Sequence, residues 1–419
     1  MNAEPPLPLE GAELSSGKVK TSRGLQGSLI VIFLIMAMDV MGITVLSPVA
    51  PQIVLQYSDQ ALMVSMIPMI YAAGQFISTP ILGKFGDRFG RRPVLLASLI
   101  GQAAGYFIFG LGGSLSVLFL GRLVGGITGG NLSTASAYIA DISAPEDRAK
   151  NFAAISTVWS LGLILGPALG GAFAQLSLEA PAFISAGLAL INLALGFVFL
   201  KESLPVERRD RSPLKARDYN PLFSILDMAR KPGMGVVLLA YSLFSFAFDG
   251  VSSTSALFII EKFSAITWQI SLMMMLAGMS IALTNFLLVP RWLPRFGKVP
   301  AAIASLIGMA LASVLIFFSP QLWLLLGINM LYSGTSAFIF PALTILTIEC
   351  VSPQEMGVLM GVTSAVGSLM NVLGPMWGGF VYDQVMAGSP YWMGAAVLLL
   401  AAFFLTRYSP AQSLSEKAN

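Results

Sequence analysis

Apolar runs of about 20 residues recur along the chain from near residue 25 to near residue 408. A helix of that length, rising 1.5 Å per residue, covers a hydrocarbon core roughly 30 Å thick. Twelve runs are present, centred near Asp39, Met69, Gln102, Thr128, Gly162, Leu190, Phe246, Leu276, Ile307, Met330, Gly367 and Val397. They lack the ten-residue dyad alternation of a lipid-facing barrel strand, so the pattern predicts an all-α integral membrane protein with twelve transmembrane helices. The first run is long and has no small-residue cleavage site before a soluble domain, which makes it an ordinary first span and not a signal peptide.

Composition agrees with the pattern. The chain is 56% hydrophobic and 11% charged, where soluble domains carry about 25% charged residues. Residues 1–24 and 409–419 are expected to be tails, the first polar and rich in Pro, Glu and Ser. Of the 24 Lys and Arg, all but Arg122 and Lys262 fall in the tails or the even-numbered connections, provided that both termini are cytoplasmic. That asymmetry sets the expected orientation of a multi-pass protein in the cell (inner or plasma) membrane. A single Cys350 and the absence of His exclude a disulfide framework and the usual metal ligand. No cluster of nucleophile, base and metal ligands is present, so neither an enzyme nor a cofactor is expected.

The chain repeats itself. GKFGDRFGRRPV at 83–94 has a weaker echo in WLPRFGKVPA at 292–301, ADISAPEDRA at 140–149 echoes IECVSPQEMG at 348–357, and GPALGG at 166–171 echoes GPMWGG at 374–379. All three pairs are offset by 207 or 208 residues, which predicts two six-helix halves, residues 25–200 and 234–408. Residues 201–233 then form a cytoplasmic linker. Its ERRDRSPLKARD mixes both charge signs without interleaved aromatics, unlike a nucleic-acid surface.

Between the second and third spans, Gly83, Gly86 and Gly90 permit a tight turn and close helix approach, while Asp87, Arg88, Arg91 and Arg92 place a carboxylate among guanidinium forks. Positive charge on the cytoplasmic side would explain the arginines, but neither Asp87 nor the glycines. The second copy lacks the acid, with Pro294 in its place. In the fifth span Gly162, Gly166 and Gly170 recur every four residues, Gly171 follows, and Pro167 removes a backbone donor. A bare face of this kind serves close packing in lipid. Arg122 lies about 12 Å deep in the fourth span at 1.5 Å per residue, a costly place unless it is paired, faces water or snorkels.

GKFGDRFGRRP, GRLVGGITGG and GLILGPALGG strongly resemble three signatures of the major facilitator superfamily. Within it the chain is similar to the 12-helix drug/proton antiporters, and AMDVMGITVLSPVAP with RLVGGITGGNLSTASAYIADI is most similar to the tetracycline/proton antiporters. The resemblance implies a carrier that exchanges a small molecule for protons by alternating access, embedded in lipid and working as a monomer. It implies that the Asp87 loop is a cytoplasmic latch pairing across to the other half, and that the fifth-span motif marks antiporters. Arg122 would take part in proton transfer, and spans 1, 4, 7 and 10 would line a central cavity.

Asp39 sits mid-span in the first helix. Its counterpart is due near residue 247, and Asp249 lies two residues beyond. These are the acids expected deep in the membrane, with Asp87, Asp141, Glu349 and Asp383 expected near cytoplasmic ends. A charge at the centre costs roughly 2.5–3.5 kcal/mol on the insertion scale, and protonation removes that cost. Asp39, Arg122 and Asp249 are therefore the expected proton-coupling and substrate set, with a structural ion pair as the plainer alternative. Two carboxylates against one Arg favour a cationic or zwitterionic substrate. Gln75, Asn131, Tyr138, Asn285, Tyr332 and Asn371 either line the cavity or satisfy helix contacts, and Met273–Met275 with Phe244, Phe246 and Phe248 read as packing or lipid-facing groups.

The resemblance is incomplete. Tetracycline antiporters carry further acids in helices 3 and 9 and a histidine in helix 8; here Gly105 stands in the helix 3 position, the span near Ile307 has no acid, and His is absent. These departures argue against tetracycline itself. The leading expectation is proton-driven export of small amphipathic, drug-like compounds, with a metabolite symporter or uniporter as the alternative and a non-transporting receptor-like protein as the reading from another class.

Overall fold

The computed structural model describes residues 23–144, 147–209, 221–352 and 355–408. The expected tails, apart from residues 23 and 24, and the centre of the linker lie outside the described residues. Among them no strand occurs and twelve helical segments are long and apolar enough to cross a membrane. Spans 1 to 6 are Gly27–Leu55, Ala61–Phe89, Arg91–Leu111, Leu115–Ile142, Ala154–Phe173 and Ala180–Phe199. Spans 7 to 12 are Met234–Phe263, Thr267–Phe296, Lys298–Phe318, Leu322–Glu349, Val358–Gln384 and Ser389–Thr406. An even number of spans brings the two ends of the described chain to one side, called here the terminal face.

The breaks have local causes. Pro48 has no N–H, and span 1 turns at 46–49 before resuming as Ala50–Leu55. Span 4 is interrupted at Gly129 and Gly130, between Leu115–Thr128 and Asn131–Ile142. Span 8 widens into a π turn over Thr284–Leu288 just before Pro290. Gly90 and Gly297, 207 residues apart, end spans 2 and 8 with φ of 107° and 83°. Side chains rarely adopt that backbone, and a Cβ at Gly90 would stand 2.4 Å from Glu202 Oε2.

The repeated GPxxGG segments perform the same two tasks in both halves. Gly166 and Gly170 of span 5 lie against Thr44 and the Val45 carbonyl of span 1, and Gly374 and Gly378 of span 11 lie against Phe246, Asp249 and Gly250 of span 7. The last glycine of each segment packs across the halves instead. A Cβ at Gly171 would meet Ser271 Oγ of span 8 at 2.4 Å, and one at Gly379 would meet Leu62 Cα of span 2 at 2.7 Å. Thus spans 5 and 11 hold the halves together internally with one face and against each other with the next.

Candidate functional site

A cavity of about 620 Å³ lies between the halves. Spans 1, 4, 7 and 10 contribute to its wall, as do spans 2, 5, 8 and 11, and Asp39, Arg122 and Asp249 all line it. Each carboxylate residue is partly exposed, whereas Arg122 is buried at 7%.

Asp39 and Arg122 share the cavity without an ion pair. Among the described residues no carboxylate reaches Arg122 within pairing distance. Its guanidinium lies 5.2 Å from the Phe109 ring centre and 5.7 Å from that of Tyr71. Rings present negative faces to a cation and hold it where lipid would not. Tyr71 and Tyr106 stand within electrostatic reach of both Asp39 and Arg122. Asp39 faces the side-chain amides of Asn131 and Gln102.

The wall around Asp249 is of a different kind. Tyr241 and Tyr332 are the titratable groups facing it, and no basic group pairs with it among the described residues. Phe248 stacks on Tyr332, with ring centres 6.2 Å apart and planes 7° from parallel. Glycine at 374 leaves room for the acid, because a Cβ there would stand 2.9 Å from Asp249 Cβ. Met273, Met274 and Phe248 pack against the buried core, as expected, and also line the cavity; Met275, Phe244 and Phe246 do not line it. Gln75, Asn131, Tyr332 and Asn371 are also in the wall. Tyr138 instead donates to the Lys201 carbonyl at 2.7 Å, and Asn285 sits in the π turn of span 8.

The Asp87 loop lies at the terminal face and pairs within its own half. Arg91 Nη2 is 2.6 Å from Asp87 Oδ1, and its Nε donates to Asp141 Oδ2 at 3.3 Å. Glu202 accepts from the Arg91 and Arg92 backbone N–H groups at 2.8 and 3.3 Å, while Arg92 Nη2 donates to the Phe197 carbonyl at 2.7 Å. Arg88 lies over Phe89. Gly83 has open space beside it, Gly86 abuts Arg91, and Gly90 makes the turn. In this state the loop is folded back on spans 2, 3 and 4.

Contacts between the halves are made at the other end. Asp383 accepts from the N–H groups of Ala61 and Leu62 at 2.8 and 2.9 Å, and Thr267 Oγ1 donates to Gln52 Oε1 at 2.7 Å. Asp383 was expected near a cytoplasmic end. Span 11 runs away from the terminal face, so its last residues lie on the opposite face.

The sequence model described as Major Facilitator Superfamily matches residues 32–298 and 237–419. The chain belongs to this superfamily. Its members are transporters and not enzymes, and a transporter fold implies a small-molecule substrate. The chain is 35% identical to "Tetracycline resistance protein, class C" of Escherichia coli over 90% of its own length and 94% of the relative's. It is 32% identical to the human "Major facilitator superfamily domain-containing protein 10", covering 83% and 80% of the two chains. Among solved structures, that of "the human organic anion transporter MFSD10 (TETRAN)" aligns with a TM-score of 0.70 at 27% identity, over 91% of this chain and 99% of that one. The nucleoside transporter NupG, at 15% identity and a TM-score of 0.75 over 92% and 99%, shares the fold.

Sequence reasoning missed Tyr71, which lines the cavity of this superfamily member, and Gln102 and Tyr106, which lie beside Asp39. A lone amide or phenol in an apolar helix costs far less than a charge and therefore gives a weak signal.

Proposed function

We propose that this protein exports small amphipathic compounds, cationic or zwitterionic, in exchange for protons, alternating access between the two faces. The observation that carries the reading is that two mid-span carboxylates and one buried Arg line a single cavity between two halves that are tied at one face. A carboxylate in such a wall alternately holds a proton or balances a cation, and competition for it exchanges one for the other. The terminal face is the cytoplasmic one on the positive-inside rule, and the Asp87 loop releases from its own half to pair across when that face closes. The tetracycline resistance relatives support drug/proton exchange.

A second reading has a specific observation behind it. Among the described residues Arg122 has no carboxylate partner, and the human relative of solved structure is named an organic anion transporter. With both acids protonated the cavity carries one positive charge and suits an anion.

Substrate profiling in an efflux-deficient host, followed by transport in proteoliposomes under an imposed pH gradient, tests both. Export of cations or zwitterions that stops when the gradient is collapsed supports the first reading. Gradient-driven exchange of organic anions alone replaces it with the second, and transport indifferent to the gradient defeats proton exchange altogether.

A further inference from the structure

Beside Asp39 the N-terminal half buries four polar side chains, of which Asn131 also lines the cavity. Ser98 and Gln102 lie one turn apart on span 3, and Asn131 and Thr134 do the same on span 4. All four are 3% exposed or less. Among the described residues Ser98 Oγ and Thr134 Oγ1 have no hydrogen-bond partner, and the Gln102 and Asn131 amides have none besides the Asp39 carboxylate that they face. Native interiors leave few such atoms, and buried water is their usual partner.

These residues lead somewhere. The Asn131 and Gln102 amides face Asp39 at one end. At the other, a Cβ added to Gly86 would stand 3.6 Å from Thr134 Cγ2 and 3.0 Å from Arg91 Nη1. Arg91 directs Nη2 to Asp87 and Nε to Asp141, while Nη1 has the Gly83 carbonyl at 3.5 Å, the limit of a hydrogen bond. From Gln102 to Arg91 the stripe runs about 16 Å along the helix at 1.5 Å per residue.

The second half shows that packing does not require polarity here. At the repeat offsets of 207 and 208, Gln102, Asn131 and Thr134 correspond to Met309, Ile339 and Ala342. Each is completely buried. The same fold closes these three positions with apolar side chains, while Ser98 has a buried serine, Ser305, at the offset of 207.

We propose that Ser98, Gln102, Asn131 and Thr134, with water between them, form a polar seam inside the N-terminal half that couples the ionisation of Asp39 to the Arg91 cluster at the terminal face. The inference rests on the proposed proton-exchange reading, in which Asp39 carries the proton.

Charge at the Asp39 end supplies the coupling. Arg91 can only donate, and an ionised Asp39 can only accept, so a chain of hydroxyls, amides and waters between them runs in one sense from end to end. A protonated Asp39 keeps an acceptor oxygen but has lost its charge, so the link that it accepts is no longer charge-assisted. The chain weakens at that end, which loosens Arg91 and frees Asp87 from its own half. The other groups facing Asp39 are Tyr71 of span 2, Tyr106 of span 3 and Arg122 of span 4, with Asp249 of span 7 on the same cavity. Those facing Arg91 are Asp87, Asp141 and, through the backbone, Glu202.

The test needs no substrate. Spin labels at Lys150→Cys and Arg295→Cys, exposed positions on the two halves at the terminal face, report the distance between halves by electron–electron double resonance. The full chain, with Cys350→Ser, is measured in nanodiscs from about pH 5 to about pH 9. The ratio of short to long distances should change about tenfold across that range, the size of one charge-assisted hydrogen bond. Asp39→Asn should abolish the change. Thr134→Val, alone and combined with Ser98→Ala, should reduce it to less than about twofold, and Thr134→Ser should preserve it. A full pH response in both Thr134→Val proteins overturns the seam, as does a parent protein without any response. In the latter case gradient-driven export in proteoliposomes decides separately whether proton exchange itself survives.

Discussion

The tie at the opposite face can be broken with one substitution. Span 2 begins at Ala61, and its N-cap residue, Gln60, provides no side-chain cap. The first N–H groups of a helix need acceptors, and Asp383 supplies them from the other half, at 2.8 Å to Ala61 and 2.9 Å to Leu62. A cap within one helix would stabilise that helix in every state, whereas this one exists only while the halves meet. Losing a cap costs about 1 kcal/mol, up to about 2, and the carboxylate adds a few tenths from the helix dipole. Asp383→Ala should therefore weaken this state by about 1–2 kcal/mol, shifting the ratio of conformers about 5–30-fold toward separation at the opposite face. Asp383→Asn, which keeps one acceptor oxygen, should give a smaller shift in the same direction. Distances between labels on the two halves at the opposite face, measured in nanodiscs, read this ratio directly. An unchanged distribution for Asp383→Ala, or a shift toward closer contact, would refute the reasoning.

Asp39→Asn should abolish uphill transport in the proteoliposome assay while the protein still folds, because the amide keeps the volume but cannot titrate; normal concentrative export by that variant would remove Asp39 from the mechanism. Gly374→Ala places a Cβ 2.8 Å from the Phe246 carbonyl and 2.9 Å from Asp249 Cβ, so thermal unfolding should show a loss of about 1–3 kcal/mol, and a variant as stable as the parent would contradict the close fit of spans 7 and 11. At the terminal face, hydrogen bonds from Lys231 and Ser352 hold the Glu355 carboxyl at about 2, below its ordinary 4.5. A depressed folded value means that this contact contributes fully above about 4.5 and is lost as pH falls toward about 2. Glu355→Gln should consequently increase protease access to the linker near Lys231 at neutral pH relative to the parent; equal cleavage of both would show that the pair does not hold the linker.

The twelve spans and the two halves were legible because lipid imposes a length and an apolar composition, and because the GPxxGG and Gly90/Gly297 geometry recurs at fixed offset. The side of each helix was harder to read. In water, a polar stripe tells the solvent face from the core, but in a membrane both the lipid face and the cavity face of a helix are apolar. Met273, Met274 and Phe248 therefore gave no sign that they line the cavity. Asp383 was misplaced for another reason: a charge says that it lies near an interface without saying which one, and the direction of the span must supply the rest.

Comparison of the two halves separates packing from chemistry. Glycines at 166 and 374, 170 and 378, and 171 and 379 occur in both copies and make equivalent contacts, because helices must approach equally closely in each. Charge does not follow the same rule. Asp87 has Pro294 at its repeat position, Arg122 has Met330 at the offset of 208, and Gln102, Asn131 and Thr134 become Met309, Ile339 and Ala342, whereas Ser98 keeps a serine, Ser305. If these groups were needed to assemble six helices, both halves would need them. Their confinement to the first half sets it apart from the second, which presents aromatic rings, methionines and a lone carboxylate to the cavity; on the proposed exchange reading the first half handles the proton. On that division, exchanging Asp249 for Asn should alter which compounds are carried more than it alters dependence on the pH gradient, while Asp39→Asn should do the reverse. Equal effects of both substitutions on both measurements would mean that the two acids act as one site.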